Sequence, residues 1–125
     1  MTSPEPADPG RLTTHVLDTA QGRPAAGVRI ELFRQGPGEP VRLADVVTND
    51  DGRCDGPLLA GADFAPGGYE LLFHVGAYFR AQGIALSEPA FLETVPVRFG
   101  IAEGGQHYHV PLLIAPYGYS TYRGS

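Results

Sequence analysis

Apolar residues recur at every second position over much of this chain, and a period of two predicts β-strands. Arg11 to Asp18 sets Leu12, Thr14 and Val16 against Thr13, His15 and Leu17. Val28 to Arg34 sets Val28, Ile30 and Leu32 against Arg29, Glu31 and Phe33, with Phe33 the misfit on a polar face. Val41 to Thr48, Gly68 to His74 and Phe91 to Phe99 read as further strands, and Pro96 marks the last as an edge or bulged one. Gln106 to Ile114 places His107, His109 and Pro111 on one face and Tyr108, Val110 and Leu112 on the other. After a turn at Ala115, Pro116 and Gly118, Tyr119 to Tyr122 returns as the paired strand.

Turn segments separate these runs: Thr19 to Gly27, a hairpin loop at Gln35 to Pro40, and Asn49 to Gly56. Ala77 to Gln82 is the stretch that suits a short helix, with Gly83 placed to end it. Many short strands, one helix and no internal repeat predict an all-β chain, an antiparallel sandwich of two sheets with the helix off one edge.

Composition narrows this picture. The 125 residues suffice for one domain with one core, and 17 Gly and 12 Pro suit many turns. A net charge of -5 argues against nucleic acid or an anionic membrane surface as partner. No apolar run reaches the ~18 residues of a membrane-spanning helix. Residues 1–10, MTSPEPADPG, are expected to form a flexible leader and not a secretory signal, leaving 11–125 as the domain. The single Cys54 excludes an internal disulfide, so a reducing cytoplasm is the expected compartment, and beside Asp55 the thiol has no activating partner.

The last twenty residues, Gln106 to Ser125, concentrate the chemistry-bearing side chains, and others lie upstream. His15 lies in the first strand, and a side chain that titrates near neutrality is the usual general acid or base. His107 and His109 share a strand face, where they could chelate a divalent metal with His15 as third ligand, serve as a structural pair, or act on a substrate. An arginine in the same site would oppose the metal reading. His74 reads as a surface residue. Arg53, in the turn D-G-R, is either a solvated cation or a fixed guanidinium for a carbonyl or developing oxyanion; Arg123 divides the same way. Two histidines, an arginine and a tyrosine, without a Ser-His-Asp or Cys-His set, point to an activated water as nucleophile. Ser125 would add a hydroxyl and a terminal carboxylate.

The stretches THVLDTAQGRPAAGV, TNDDGR, F-x-PG-x-YEL, VGAYF, PVRFGI and HYHVPLL-x-x-PYGYSTYRGS resemble those of the 5-hydroxyisourate hydrolase family, transthyretin-like enzymes of purine catabolism. The likeness runs from about Leu12 to Ser125, and the closing Y-R-G-S is its most specific mark. Ala115 and the absence of tryptophan depart from the family pattern without touching the chemistry. The resemblance implies a transthyretin-like sandwich of two four-stranded antiparallel sheets with one short helix. It implies a homotetramer, a dimer of dimers, with sites at the mouths of a channel. It implies hydrolysis of the small molecule 5-hydroxyisourate with no cofactor and no metal. His15, Arg53, His109 and Ser125 would be catalytic, and Tyr122, Arg123 and Gly124 would join His15 and Arg53 in binding the substrate. His107 would be a rim residue. A carrier of a small aromatic ligand and a purely structural sandwich module are the rival readings.

Overall fold

The computed structural model describes residues 10–124. The strands are β1 (Arg11–Thr13), β2 (Val16–Asp18), β3 (Arg23–Pro24), β4 (Arg29–Gly36), β5 (Gly38–Val47), β6 (Leu59–Ala60), β7 (Gly67–Phe73), β8 (Val95–Ile101), β9 (His107–His109), β10 (Leu112–Ala115) and β11 (Gly118–Thr121). A helix, α1 (Val75–Ala81), follows β7. The expected leader falls outside the described residues except for Gly10, which is buried and donates its amide to the Gly104 carbonyl at 3.2 Å.

One layer is a four-stranded antiparallel sheet in the order β5-β4-β7-β8. Its alternation follows the sequence pattern, with Ile30, Leu32, Leu71, Phe73, Val95 and Val97 turned into the core. Pro96 stands in β8, an edge strand, where a missing N–H leaves no ladder bond unmade on the free side. The β4–β5 hairpin is tighter than the Gln35 to Pro40 loop expected, because strand pairing continues to Gly36 opposite Gly38.

The other layer is not a second uninterrupted antiparallel sheet. It consists of a three-stranded ladder, β6-β1-β9, and a four-stranded one, β11-β10-β2-β3. In it, β1 pairs with β9 and β2 with β10 in parallel. Both pairings keep one register, Thr13 opposite His109 and Val16 opposite Leu112, so a single long strand pair is broken in the middle. Pro111 explains the break, since it has no N–H to donate. The bonds Val110 N–H to Thr13 O (3.0 Å) and Leu112 N–H to His15 O (2.9 Å) hold the chains together on either side of it. Leu12, Val16, Tyr108, Leu112 and Ile114 bury against the first sheet to complete one apolar core.

The helix begins two residues earlier than Ala77 and buries Val75, Tyr78 and Phe79. Gly83, at φ 80°, ends it: its amide reaches the Arg80 carbonyl at 2.9 Å and the Ile84 amide reaches Phe79 at 3.0 Å, the paired bonds of a Schellman stop. The Tyr78 hydroxyl donates to the fully buried Asp18 carboxylate at 2.8 Å, which pins the helix to β2. His74 is not a free surface residue. Its Nε2 lies 2.7 Å from Glu31, within a charged group that also includes Arg29, Arg42 and Asp45.

Candidate active site

The break between β1 and β2 decides where the functional side chains go. Thr14 turns inward and its hydroxyl donates to the Val110 carbonyl at 2.6 Å, fully buried. Its neighbours Thr13 and His15 therefore project from the opposite face, the face that carries His107 and His109 on the parallel strand. There Nδ1 of His15 lies 2.7 Å from Nε2 of His109, with ring centroids 4.8 Å apart. Nδ1 of His109 lies 2.8 Å from the Thr13 hydroxyl, and that hydroxyl lies 2.6 Å from Nε2 of His107.

Arg53 arrives from the turn Asn49 to Arg53. The Asn49 carboxamide oxygen accepts from the Asp51 and Arg53 amides at 2.9 and 3.2 Å, a local Asx bond that sets the turn. Gly52 adopts φ 72° and packs against the Val16 carbonyl, and the Val16 amide ties the turn to β2 by donating to the Gly52 carbonyl at 2.8 Å. A side chain there would meet that carbonyl, so the close approach requires glycine. The result is a β-bridge between His15 and Arg53. Among the described residues the Arg53 guanidinium has no hydrogen-bond or ion-pair partner, and it lines the same cavity as the histidines.

A second bridge joins His109 to Gly124, whose amide donates to the His109 carbonyl at 2.7 Å. This places Gly124 and the half-exposed Tyr122 on the cavity wall. Arg123 stands elsewhere. Its guanidinium lies 4.0 Å from the centroid of the Tyr108 ring and donates to Gln106 Oε1 at 3.0 Å, which fastens the tail instead of facing the histidines. Ser125 lies outside the described residues.

The cavity holds about 560 Å³ and no carboxylate is among the described residues lining it. Among the described residues, its cations and imidazoles share it without a counter-charge. Burial, with Arg53 nearby, lowers the pKa of His15. Burial foremost, then His15, Arg53 and His107, pushes His109 down to about 4. Burial and Arg11 lower His107. All three shifts favour the neutral imidazole, the form that accepts a proton. Cys54 also borders the cavity, but burial and Asp55 raise its pKa, which keeps the thiol protonated and a poor nucleophile. Among the described residues no three His, Cys, Asp or Glu side chains are grouped as a metal site requires.

The chain matches the HIUase/Transthyretin family over residues 12–124. It belongs to that family. It is 64% identical over 116 residues, 93% of this chain and 97% of the relative, to 5-hydroxyisourate hydrolase 2 of Rhizobium meliloti. It superposes on (S)-allantoin synthase with a TM-score of 0.89 at 50% identity, covering 95% of this chain but 45% of that longer one. It superposes on sea bream transthyretin in complex with thyroxine with a TM-score of 0.81 at 28% identity, covering 91% of this chain and 94% of that one. The all-β class expected from the strand pattern, and the transthyretin-like fold that the resemblance implied, are the fold of this chain.

Within this family fold, the residues singled out in the sequence divide in two. His15, Arg53, His109, Tyr122 and Gly124 meet at one cavity, and Arg123 does not. Thr13 and Asp18 are the residues that sequence reading passed over. Thr13 carried a usable signal, since a period of two puts it on the face of His15. Asp18 carried none, because a carboxylate at the end of a strand reads as solvated.

Proposed function

We propose that the protein is a 5-hydroxyisourate hydrolase that opens the N1–C6 cyclic amide to give 2-oxo-4-hydroxy-4-carboxy-5-ureidoimidazoline, a step of urate degradation. The observation that carries the reading is the hydrogen-bonded His15–His109 pair sharing one cavity with Arg53, whose guanidinium has no partner among the described residues. It is supported by the 64% identity to a relative bearing that name.

The hydrogen bonds divide the labour. Both ring nitrogens of His109 are engaged, one by His15 and one by Thr13. Nε2 of His15 has no partner among the described residues, so it is the nitrogen that reaches water. His15 takes a proton from water as the oxygen adds to C6, and the imidazolium so formed donates through Nδ1 to His109. The charge that grows on the C6 oxygen lies with Arg53. Collapse of the adduct breaks C6–N1, and the proton on His15 Nε2 passes to N1. Ser125, at the end of the tail that Gly124 docks on His109, orients the water, and Tyr122 walls the planar ring. A general base contributes roughly 10²–10⁴-fold and an oxyanion donor roughly 10²–10³-fold. No step draws on a metal or cofactor.

The reading extends to a homotetramer in the cytoplasm. Exposed Phe91, Tyr117, Tyr119 and Tyr122 and the free edges β8 and β11 support association. Among the described residues no helix is long and apolar enough to cross a membrane.

The test is spectral. 5-Hydroxyisourate is generated in place by urate oxidase, and its ultraviolet signal is followed with and without the protein. Accelerated decay is the expected result. An unchanged decay with saturable binding of an aromatic ligand would mark a carrier instead.

A further inference from the structure

Between His107 and His15 runs an unbroken line of four hydrogen-bonding groups, and two of them have no part in the mechanism above. The contacts are His107 Nε2 to Thr13 Oγ1 at 2.6 Å, Thr13 Oγ1 to His109 Nδ1 at 2.8 Å, and His109 Nε2 to His15 Nδ1 at 2.7 Å. We propose that Thr13 and His107 are positioning residues which, through this line, hold His15 in the tautomer that presents a bare Nε2 to water. The inference rests on the hydrolase reading of the site.

Counting protons gives the direction. Each contact needs one hydrogen, and a neutral imidazole carries one N–H while a hydroxyl carries one O–H. If His15 is to offer a lone pair at Nε2, its hydrogen sits on Nδ1 and is donated to His109 Nε2. The hydrogen of His109 is then on Nδ1 and is donated to Thr13 Oγ1. The Thr13 hydrogen is donated in turn to His107 Nε2, which leaves the His107 hydrogen on Nδ1. Every contact is filled once and no group is charged. Threonine is the residue type that can pass the pattern on, because its hydroxyl accepts and donates at once.

The same line gives the proton a way out. When His15 gains a proton at Nε2, shifting one hydrogen across each of the three contacts moves the positive charge to His107. His107 is exposed, whereas His109 is 8% exposed. Among the described residues the fixed charges beside the line are cations at both ends, Arg53 by His15 and Arg11 by His107, so exposure and not charge chooses between the ends. The charge therefore rests at the end nearest water, and the reverse shift returns it to His15 for transfer to N1. No atom or electron is left over in either direction.

The experiment compares wild type with T13V, T13S and H107F. It measures kcat and KM for 5-hydroxyisourate from about pH 5 to 9, thermal midpoints, and the tautomers of the histidines by ¹⁵N NMR. T13V keeps the side-chain volume and loses the hydroxyl; the expected result is a fall in kcat of at least about tenfold with KM nearly unchanged. T13S, which keeps the hydroxyl, should recover most of the loss. H107F removes an exposed side chain, so folding is not at stake; it should lower kcat and change the pH profile. Wild-type kcat in both T13V and H107F, or an equal loss in T13V and T13S, overturns the proposal. If wild type itself does not hydrolyse the substrate, the hydrolase reading fails. The NMR arm then still judges the line, since T13V must change the His109 tautomer if Thr13 sets it.

Discussion

Nε2 of His109 lies 2.7 Å from Nδ1 of His15, and both imidazoles line the same cavity. Burial is the largest cost of charging either ring; Arg53 adds to it for both, and His15 adds to it for His109. Both pKa values are lowered, His109 to about 4 from an ordinary 6.5. The neutral form is the active one, so lowering the pKa extends activity toward acid. The acid limb of kcat/KM should therefore fall below pH 6.5, the value of a free imidazole. Initial rates across pH in a constant-ionic-strength buffer would check this. A limb centred at or above that value would mean that the pair is charged at rest.

The same shift bears on stability. In the unfolded chain His109 binds a proton as pH falls through 6.5, while the folded protein resists until about 4. The unfolded state thus holds more protons in that window, and stability declines as pH drops through it. Replacing His109 with Asn should flatten the decline. Urea midpoints between those two pH values would show it, and equal slopes for both proteins would refute it.

Arg53 is exposed and its guanidinium touches no described partner, so its retention in this cavity is not explained by packing. Arg53→Ala should lower kcat by roughly 10²–10³-fold, the worth of one oxyanion donor, with the thermal midpoint almost unchanged. Arg53→Lys should recover little, since a lysine lacks the planar pair of donors. Activity within about threefold of wild type in the alanine variant would remove Arg53 from the mechanism.

The motif that carries His15 is braced from below. Asp18 is fully buried and accepts from the Tyr78 hydroxyl at 2.8 Å, the Gln21 amide at 2.9 Å and the Gln21 side chain at 2.8 Å. Burial foremost, with the carboxylate beside it, pushes the Tyr78 hydroxyl up to about 12, so it stays a donor at every ordinary pH. Tyr78→Phe should cost about 1–3 kcal/mol by leaving a buried charge short of one donor. Denaturant unfolding would measure it, and a loss below about 0.5 kcal/mol would mean that water replaces the hydroxyl.

Much of this was legible in the chain, and the remainder shares one physical origin. Period-two alternation revealed the strands and put His107 and His109 on one shared face. It could not reveal that β1 lies parallel to β9, because strands paired at a register of Thr13 with His109 leave no local mark. The role of Thr13 depends on that pairing: alone it is an ordinary strand-former, and beside His107 and His109 it is a hydrogen-bond junction. The same holds for His74, whose partner Glu31 is distant in sequence. Arg123 shows the opposite case. A tail motif suggested a substrate contact, and the nearby Tyr108 ring and Gln106 offered its guanidinium a closer home.

The tail itself is held to the site by a glycine. The Gly124 amide donates to the His109 carbonyl at 2.7 Å, and a methyl group added at Gly124 would stand 2.7 Å from Cδ2 of the His109 ring. The obstacle is the imidazole and not the backbone, since Gly124 does not adopt a positive φ. Gly124→Ala must therefore turn the ring or lift the tail. Turning the ring breaks two short hydrogen bonds, to His15 and to Thr13. Lifting the tail withdraws Tyr122 from the cavity wall. Either way kcat should drop by at least about tenfold, because small misplacements of reacting groups are costly. Thermal stability should hardly change, as Thr121, Tyr122 and Arg123 are exposed. Gly118→Ala is the matched control: a methyl group there meets no atom within 4 Å, and activity should stay close to wild type. Equal activity in the two variants would show that the tail serves packing alone.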